Sequence, residues 1–175
     1  MKQLIAFFSH CGENYDVGLV KIGNTAKFAL AIQEATNADI FEIKPLKPYP
    51  QSYMECVEIA KKEYTEVARP PLAKNLENAN EYDTIYLGFP NWWGDLPMCV
   101  YTFLESIDLR DKTIIPFCTH EGSGFGNIVS FIRDFAEPKN AVVKKGLAIK
   151  GSVAQKKERK VKKLVAKWLQ DLSKQ

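Results

Sequence analysis

Five short apolar runs, each separated from the next by a segment with helical spacing, constrain this 175-residue chain more than any other feature. They are residues 3–8, 39–43, 84–89, 113–118 and 141–149, the last interrupted around Lys144, Lys145 and Gly146. Strands that are apolar without alternation are buried on both faces, as in a parallel sheet covered by helices above and below. The intervening segments supply those helices. Asn24–Thr36 has apolar residues at 26, 28, 29, 30 and 32, with Asn24 or Thr25 able to cap it. Residues 52–66 read as helical until Arg69, Pro70 and Pro71, and Pro97 opens a helix to about Ile107 because proline fits a first turn. Residues 128–135 and 152–172 complete the set, whereas Pro45, Pro48 and Pro50 forbid regular structure. No repeat, low-complexity tract or linker divides the sequence. The expectation is a single doubly wound α/β domain over residues 1–175, a five-stranded parallel sheet with helices on both faces.

Composition narrows the function classes. With 46% hydrophobic and 26% charged residues, the chain can bury a core without disulfides or metals. No apolar run approaches the roughly 20 residues needed to span a bilayer. The first 30 residues lack the pattern of a signal peptide. Cys11, Cys56, Cys99 and Cys118 form no C-x-x-C pair and no zinc spacing, so a reducing cytoplasm is expected. The net charge of +3 hides an asymmetry. Residues 152–175 hold eight Lys/Arg against Glu158 and Asp171, a net of +6, while the other 151 residues hold 16 basic and 19 acidic groups, a net of −3. In that segment Val161, Leu164, Val165, Trp168, Leu169 and Leu172 form one helical stripe. A terminal helix docked on a sheet with solvated lysines explains both features. Neither nucleic acid nor membrane is expected as a partner.

In such sheets ligands bind beyond the carboxyl ends of the strands. Three loops lie there. Ser9 follows the first strand, and Gly23-Asn24-Thr25 leads into a helix whose first amides form an anion site. Pro90-Asn91-Trp92-Trp93-Gly94-Asp95 follows the third strand. Neighbouring side chains diverge, so Trp92 and Trp93 cannot enter one core together, and indoles at the mouth of a sheet suit a flat aromatic ligand. Thr119-His120-Glu121-Gly122-Ser123-Gly124-Phe125-Gly126 follows the fourth strand, its glycines allowing close backbone approach. It is not the G-x-G-x-x-G of a nicotinamide site. Together the loops suit a flat heteroaromatic carrying one phosphate.

These loops resemble those of the flavodoxin-like FMN-binding family, and the resemblance covers the whole chain. Ser9 with Gly23-Asn24-Thr25 is similar to the family's phosphate loop, split here by His10 to Ile22, about eleven residues more than the family's spacing. Pro90 to Gly94 resembles its Pro-x-Trp-Trp-Gly loop, and Thr119 to Gly124 its third loop. The resemblance implies strand order 2-1-3-4-5 and FMN as cofactor. It further implies phosphate held by Ser9, Asn24 and Thr25, and a flavin ring lined by Pro90, Asn91, Trp92, Trp93 and Gly94. The backbone near Gly94 would serve flavin N5, and Thr119, His120, Glu121, Gly122 and Ser123 would contact the opposite edge and the ribityl chain. His10 would contact phosphate or steer a proton, as would His120. Glu121 and Asp95 close to the ring would disfavour an anionic reduced flavin. Cys11 and Cys118 lie near the crevice as filler. No acid, base or nucleophile is assigned.

The implied activity is electron transfer through non-covalent flavin, with a redox partner protein. The alternative is an FMN-dependent NAD(P)H:quinone-type reductase using NAD(P)H and a small electron acceptor. The sequence pI of about 8.6 departs from the acidic carriers of the family. The segment from His10 to Ile22 and the prolines at 45–50 could roof a substrate pocket or form a homodimer seam. A flavin-free interaction module on the same fold is the third reading.

Overall fold

The computed structural model describes residues 1–174. In chain order it contains β1 (Gln3–Phe7), β2 (Gly12–Asn14), β3 (Gly18–Val20), α1 (Asn24–Thr36), β4 (Asp39–Glu42), α2 (Tyr53–Thr65), β5 (Thr84–Pro90), α3 (Met98–Ser106), β6 (Thr113–His120), α4 (Ile128–Ala136), β7 (Val142–Val143), β8 (Leu147–Lys150), α5 (Gly151–Lys156) and α6 (Glu158–Leu172). The main sheet is parallel in the order β4-β1-β5-β6, with β7 and β8 sharing the outer edge of β6. These are the five expected positions in the expected order, a doubly wound α/β fold of flavodoxin type.

Alternation along the strands sends side chains to two cores. Leu4, Ala6 and Phe8 face one side with Leu87, Phe89, Val100 and Phe103, under α3 and α4. Ile5 and Phe7 face the other with Phe28, Tyr86, Phe117, Val165 and Trp168, under α1 and α6. The terminal stripe behaves as expected. Val161, Val165, Trp168 and Leu172 are buried, Leu164 and Leu169 are partly so, and Lys160, Lys163 and Lys167 face solvent.

Three elements differ from the sequence expectation. The fifth strand is two strands, because β6 carries Pro116, which has no N–H to give a neighbour. β7 pairs with β6 at Thr113 and Ile114, and β8 resumes only at Phe117. The Lys145 carbonyl freed in the gap accepts the Trp168 indole N–H at 2.9 Å. The expected single helix over 152–172 begins at Gly151 and breaks at Lys157 (φ −131°, ψ 53°). Its first part thereby reaches the start of α1, where Gln155 Nε2 donates to Ile22 O (2.8 Å) and Asn24 Oδ1 (3.0 Å). Finally, the inserted segment after Ser9 is an antiparallel hairpin, β2 with β3, turned by Asp16 (φ +57°) and Gly18 (φ +88°). Glu13 ties it to α2 by accepting the Tyr53 N–H at 3.0 Å.

Candidate functional site

The carboxyl ends of β1, β5 and β6 surround a cavity of 460 Å³. Of the residues singled out in the sequence, His10, Asn24, Pro90, Asn91, Trp92, Trp93, Thr119, His120, Glu121, Gly122 and Ser123 line it, and Ser9, Thr25 and Gly94 do not. Ser9 and Thr25 act from behind the wall, whereas Gly94 is exposed on the tryptophan turn. Ser9 Oγ accepts the Ala26 N–H at 2.9 Å, so the helix is capped from β1 rather than by Asn24 or Thr25. The N-cap is Gly23, where any Cβ would collide with Ser9 Oγ and the His10 carbonyl. The Thr25 hydroxyl shares a 2.7 Å hydrogen bond with that of Thr119, fastening the start of α1 to the end of β6. Of the first amides of α1, which have no partner within the helix, that of Ala26 is taken by Ser9, and Asn24 is the residue of α1 that reaches the cavity.

The tryptophans sit on a tight turn. Trp92 N and Asp95 O are 3.2 Å apart, and Asp95 N and Trp92 O 3.0 Å. Trp93 (φ +57°) and Gly94 (φ +76°) both occupy the left-handed region, as in a type I′ turn. The turn sends the indoles apart. Trp92 packs edge-on to Phe8, Tyr49 and His10, with centroids at 5.2, 5.0 and 6.1 Å. Trp93 is 49% exposed, with the Lys61 ammonium 5.6 Å from its ring centroid.

Asn91 joins this turn to the glycine loop. Its amide donates to Ser123 Oγ (3.1 Å) and Gly124 O (2.9 Å), and its Oδ1 accepts the Gly94 N–H (3.0 Å). Gly94 thus has its N–H committed within the loop. Asp95 turns away from the cavity, accepting from Leu96 N and Tyr101 OH at 2.6 Å each, so only Glu121 of the two expected carboxylates lines it. His120 Nδ1 accepts the Gly122 N–H at 2.9 Å.

Electrostatically the wall is unusual for an anion site, since no lysine or arginine lines it. Burial lowers the pKa of His10 and of His120, the second aided by the Lys150 charge. Burial raises that of Glu121, with Asp16 adding to the effect. Two buried polar atoms in this wall have no partner, His10 Nε2 and Glu121 Oε2.

The inserted segment, read as a pocket roof or a homodimer seam, contributes Glu13, Asn14 and Tyr15 to the wall, and sequence reasoning missed the part from α2: Tyr53, Cys56, Val57 and Ala60. The spacing of Cys56 and Ala60 marked one helix face, which reads as core. Cys56, not Cys11 or Cys118, is the cavity cysteine, and burial pushes its thiol up to about 12. Among the described residues no His/Cys/Asp/Glu group has metal-binding geometry, and no helix is long and apolar enough to cross a membrane.

A comparison with curated protein sequences finds no match. Solved structures do match. A protein of Bacteroides uniformis assigned as a flavoprotein is 31% identical, with TM-score 0.72 over 94% of this chain and 97% of that one. One of Bacteroides eggerthii, similarly assigned, is 26% identical, with TM-score 0.73 over 94% and 96%. A flavoprotein of Lactobacillus acidophilus, solved in complex with FMN, is 22% identical and shares the fold, with TM-score 0.67 over 84% and 92%. The flavodoxin family model matches residues 2–171, which is nearly the whole sequence, and the chain belongs to the flavodoxin family.

Proposed function

We propose that this chain binds FMN in the cavity at the strand ends and passes electrons through it to a redox partner protein. The observation that carries this reading is a cavity wall combining indoles, a helix start at Asn24 and two buried polar atoms without partners. The residues present fit the group. Trp92 and Trp93 offer indoles to a flat ring. The helix start at Asn24 suits a phosphate. Asn91 fixes the two ring-side loops relative to each other. When bound, FMN supplies the redox chemistry; the protein positions it and excludes water. Membership of the family and the FMN complex of the Lactobacillus acidophilus relative support the assignment. A cytoplasmic setting belongs to the same reading, supported by the absence of disulfides among Cys11, Cys56, Cys99 and Cys118.

A second reading, an FMN-dependent reductase oxidising NAD(P)H, is favoured by the breadth of the cavity. It continues past the three loops onto Tyr53, Cys56, Val57 and Ala60 of α2. That wall would accept a small flat electron acceptor. The test is an absorption spectrum of purified protein with FMN, followed by NADH or NADPH. A bound-flavin spectrum that stays oxidised supports the carrier, and rapid bleaching supports the reductase. Absence of binding overturns both.

A further inference from the structure

A second recess lies apart from the strand-end cavity. A groove of 650 Å³ runs between α4 and the outer edge of the sheet, where β7 and β8 sit. Val129 and Arg133, one turn apart on α4, form one bank with Phe125 just ahead of that helix. Val142, Val143 and Gly146 belong to the other bank. A Cβ on Gly146 would collide with the Pro116 carbonyl and the Phe125 ring, so the bare backbone there lets Phe125 lie against the gap between β7 and β8.

The charge of this groove is the reverse of the cavity's. Arg133, Lys144 and Lys145 line it and no carboxylate does, whereas no lysine or arginine lines the cavity. Among the described residues none of these three cations takes part in a salt bridge. The backbone beside them is open as well. The Val142 and Lys144 N–H groups donate to the Lys112 and Ile114 carbonyls, both at 2.9 Å, so alternation turns the N–H and carbonyl of Val143 to the free edge. Val142 is 57% exposed at the same place. An unpaired edge of this kind accepts a further strand by main-chain hydrogen bonds. A second copy of the same edge would bring two sets of the same three cations together with no carboxylate between them, which disfavours self-pairing. An extended acidic segment satisfies backbone and charge at once.

We propose that this groove docks an extended acidic segment of a partner protein, which adds a strand to the outer edge of β7 and sets its carboxylates against Arg133, Lys144 and Lys145. The inference names the chemistry of the redox partner in the carrier reading and rests on that reading for the partner's role. Phe125 links the two sites. It stands in the same loop as Gly122 and Ser123 of the cavity wall, and the Asn91 amide holds that loop at the Gly124 carbonyl (2.9 Å). A segment seated against Phe125 is thus beside the loop that borders the cavity.

The experiment is fluorescence polarisation with a rhodamine-labelled, end-blocked peptide of about eight residues alternating Glu and Val, enough at about 3.3 Å per residue to span the edge. The full chain should bind it with or without FMN, and should bind a peptide alternating Lys and Val about tenfold or more less tightly. Lys144→Glu/Lys145→Glu should weaken the acidic peptide by about tenfold or more, while Lys163→Glu/Lys167→Glu, the same charge change on α6, stays within about twofold. Strand addition has its own signature, because only alternate peptide N–H groups face the edge. N-methylation of either the Glu residues or the Val residues should abolish binding, and methylation of the other set should leave it. Equal losses for both methylated peptides, or for both double variants, would overturn the proposal by showing attraction to charge alone. A single-stranded oligonucleotide of the same charge that binds as tightly, and is lost with Lys144→Glu/Lys145→Glu, would overturn it in favour of a nucleic-acid site. A wild-type chain that binds FMN but not the acidic peptide overturns the proposal alone. One that binds the peptide but not FMN supports the groove and overturns the carrier reading, and with it the partner's redox role.

Discussion

Trp93 adopts φ +57°, a conformation that costs a bulky residue on the order of 1–2 kcal/mol. Asparagine fits such a turn position with little strain, so the indole is kept there at the expense of folding stability. The expected outcome for Trp93→Asn is an apo-protein whose unfolding free energy is unchanged or raised by up to about 1 kcal/mol. Its FMN affinity should fall at least tenfold. Chemical denaturation without flavin and a fluorescence titration check the two halves; a variant that loses stability and keeps affinity would contradict both. His10 gives a second residue-scale prediction through its lowered pKa. Above its ordinary value of 6.5 the ring is neutral folded or unfolded, and stability is full. Below pH 6.5 the unfolded chain takes up a proton that the folded chain refuses, so stability declines until the folded ring protonates too. His120, also lowered, adds to the decline, while the raised carboxyl of Glu121 acts in the opposite direction nearer pH 4.5. Urea unfolding at pH 7.5, 6.5 and 5.5 should show a smaller loss for His10→Phe than for wild type. An unchanged slope would exclude His10 as its source.

At the scale of elements, close approach sets the site more than side-chain capping does. Gly23 lets the turn into α1 lie against Ser9 and His10, and a methyl there would meet backbone as well as a hydroxyl. Gly23→Ala should therefore cost about 2–4 kcal/mol, read as a lowered denaturation midpoint, because neither neighbour can yield without moving β1. Asn91→Ala should act differently. It removes the bonds joining the Trp92–Asp95 turn to the glycine loop, so FMN affinity should drop about tenfold with stability little changed. The sequence signalled both loops through Trp92, Trp93, Gly122 and Ser123, because such residues at strand ends have few structural uses. Lys144, Lys145 and Gly146 likewise marked where the outer strand breaks, whereas Pro116, which causes the break, sits inside the fourth strand and did not signal it. The hairpin was not legible, since Gly12-Glu13-Asn14 and Gly18-Leu19-Val20 are too short to show a period and lack turn residues in a recognised pair. The α2 wall was hidden for another reason: Cys56 and Ala60 have the spacing of a buried face whether they meet a core or a cavity. Ser9 shows a third limit, because a hydroxyl before a helix can serve a ligand or the helix itself, and only the 2.9 Å bond to Ala26 N decides it.

Over the whole molecule, the positive charge and the cavity lie apart. α5 begins at Gly151 beside Glu121, and the chain then runs away from the cavity through α6 along α1 and the sheet. Lys163 and Lys167 lie on α6, beyond the break at Lys157, and no residue of α5 or α6 lines the cavity. Salt therefore screens their charge from anything bound there. Both side chains face solvent, and the stripe that holds the helix down, Val161, Val165, Trp168 and Leu172, does not involve them. A Lys163→Glu/Lys167→Glu variant should consequently unfold within about 0.5 kcal/mol of wild type, as exposed substitutions do. Its FMN dissociation constant at 0.15 M salt should lie within about twofold of wild type. The same variant also separates the origins of the basic segment. If α6 is only a solvated cover for the sheet, electron transfer from the bound flavin to a protein acceptor keeps its rate and its salt dependence. A rate lowered tenfold or more, with flavin affinity intact, would instead make this helix a docking face for an acidic partner, because rim charges act on association rather than on the cofactor.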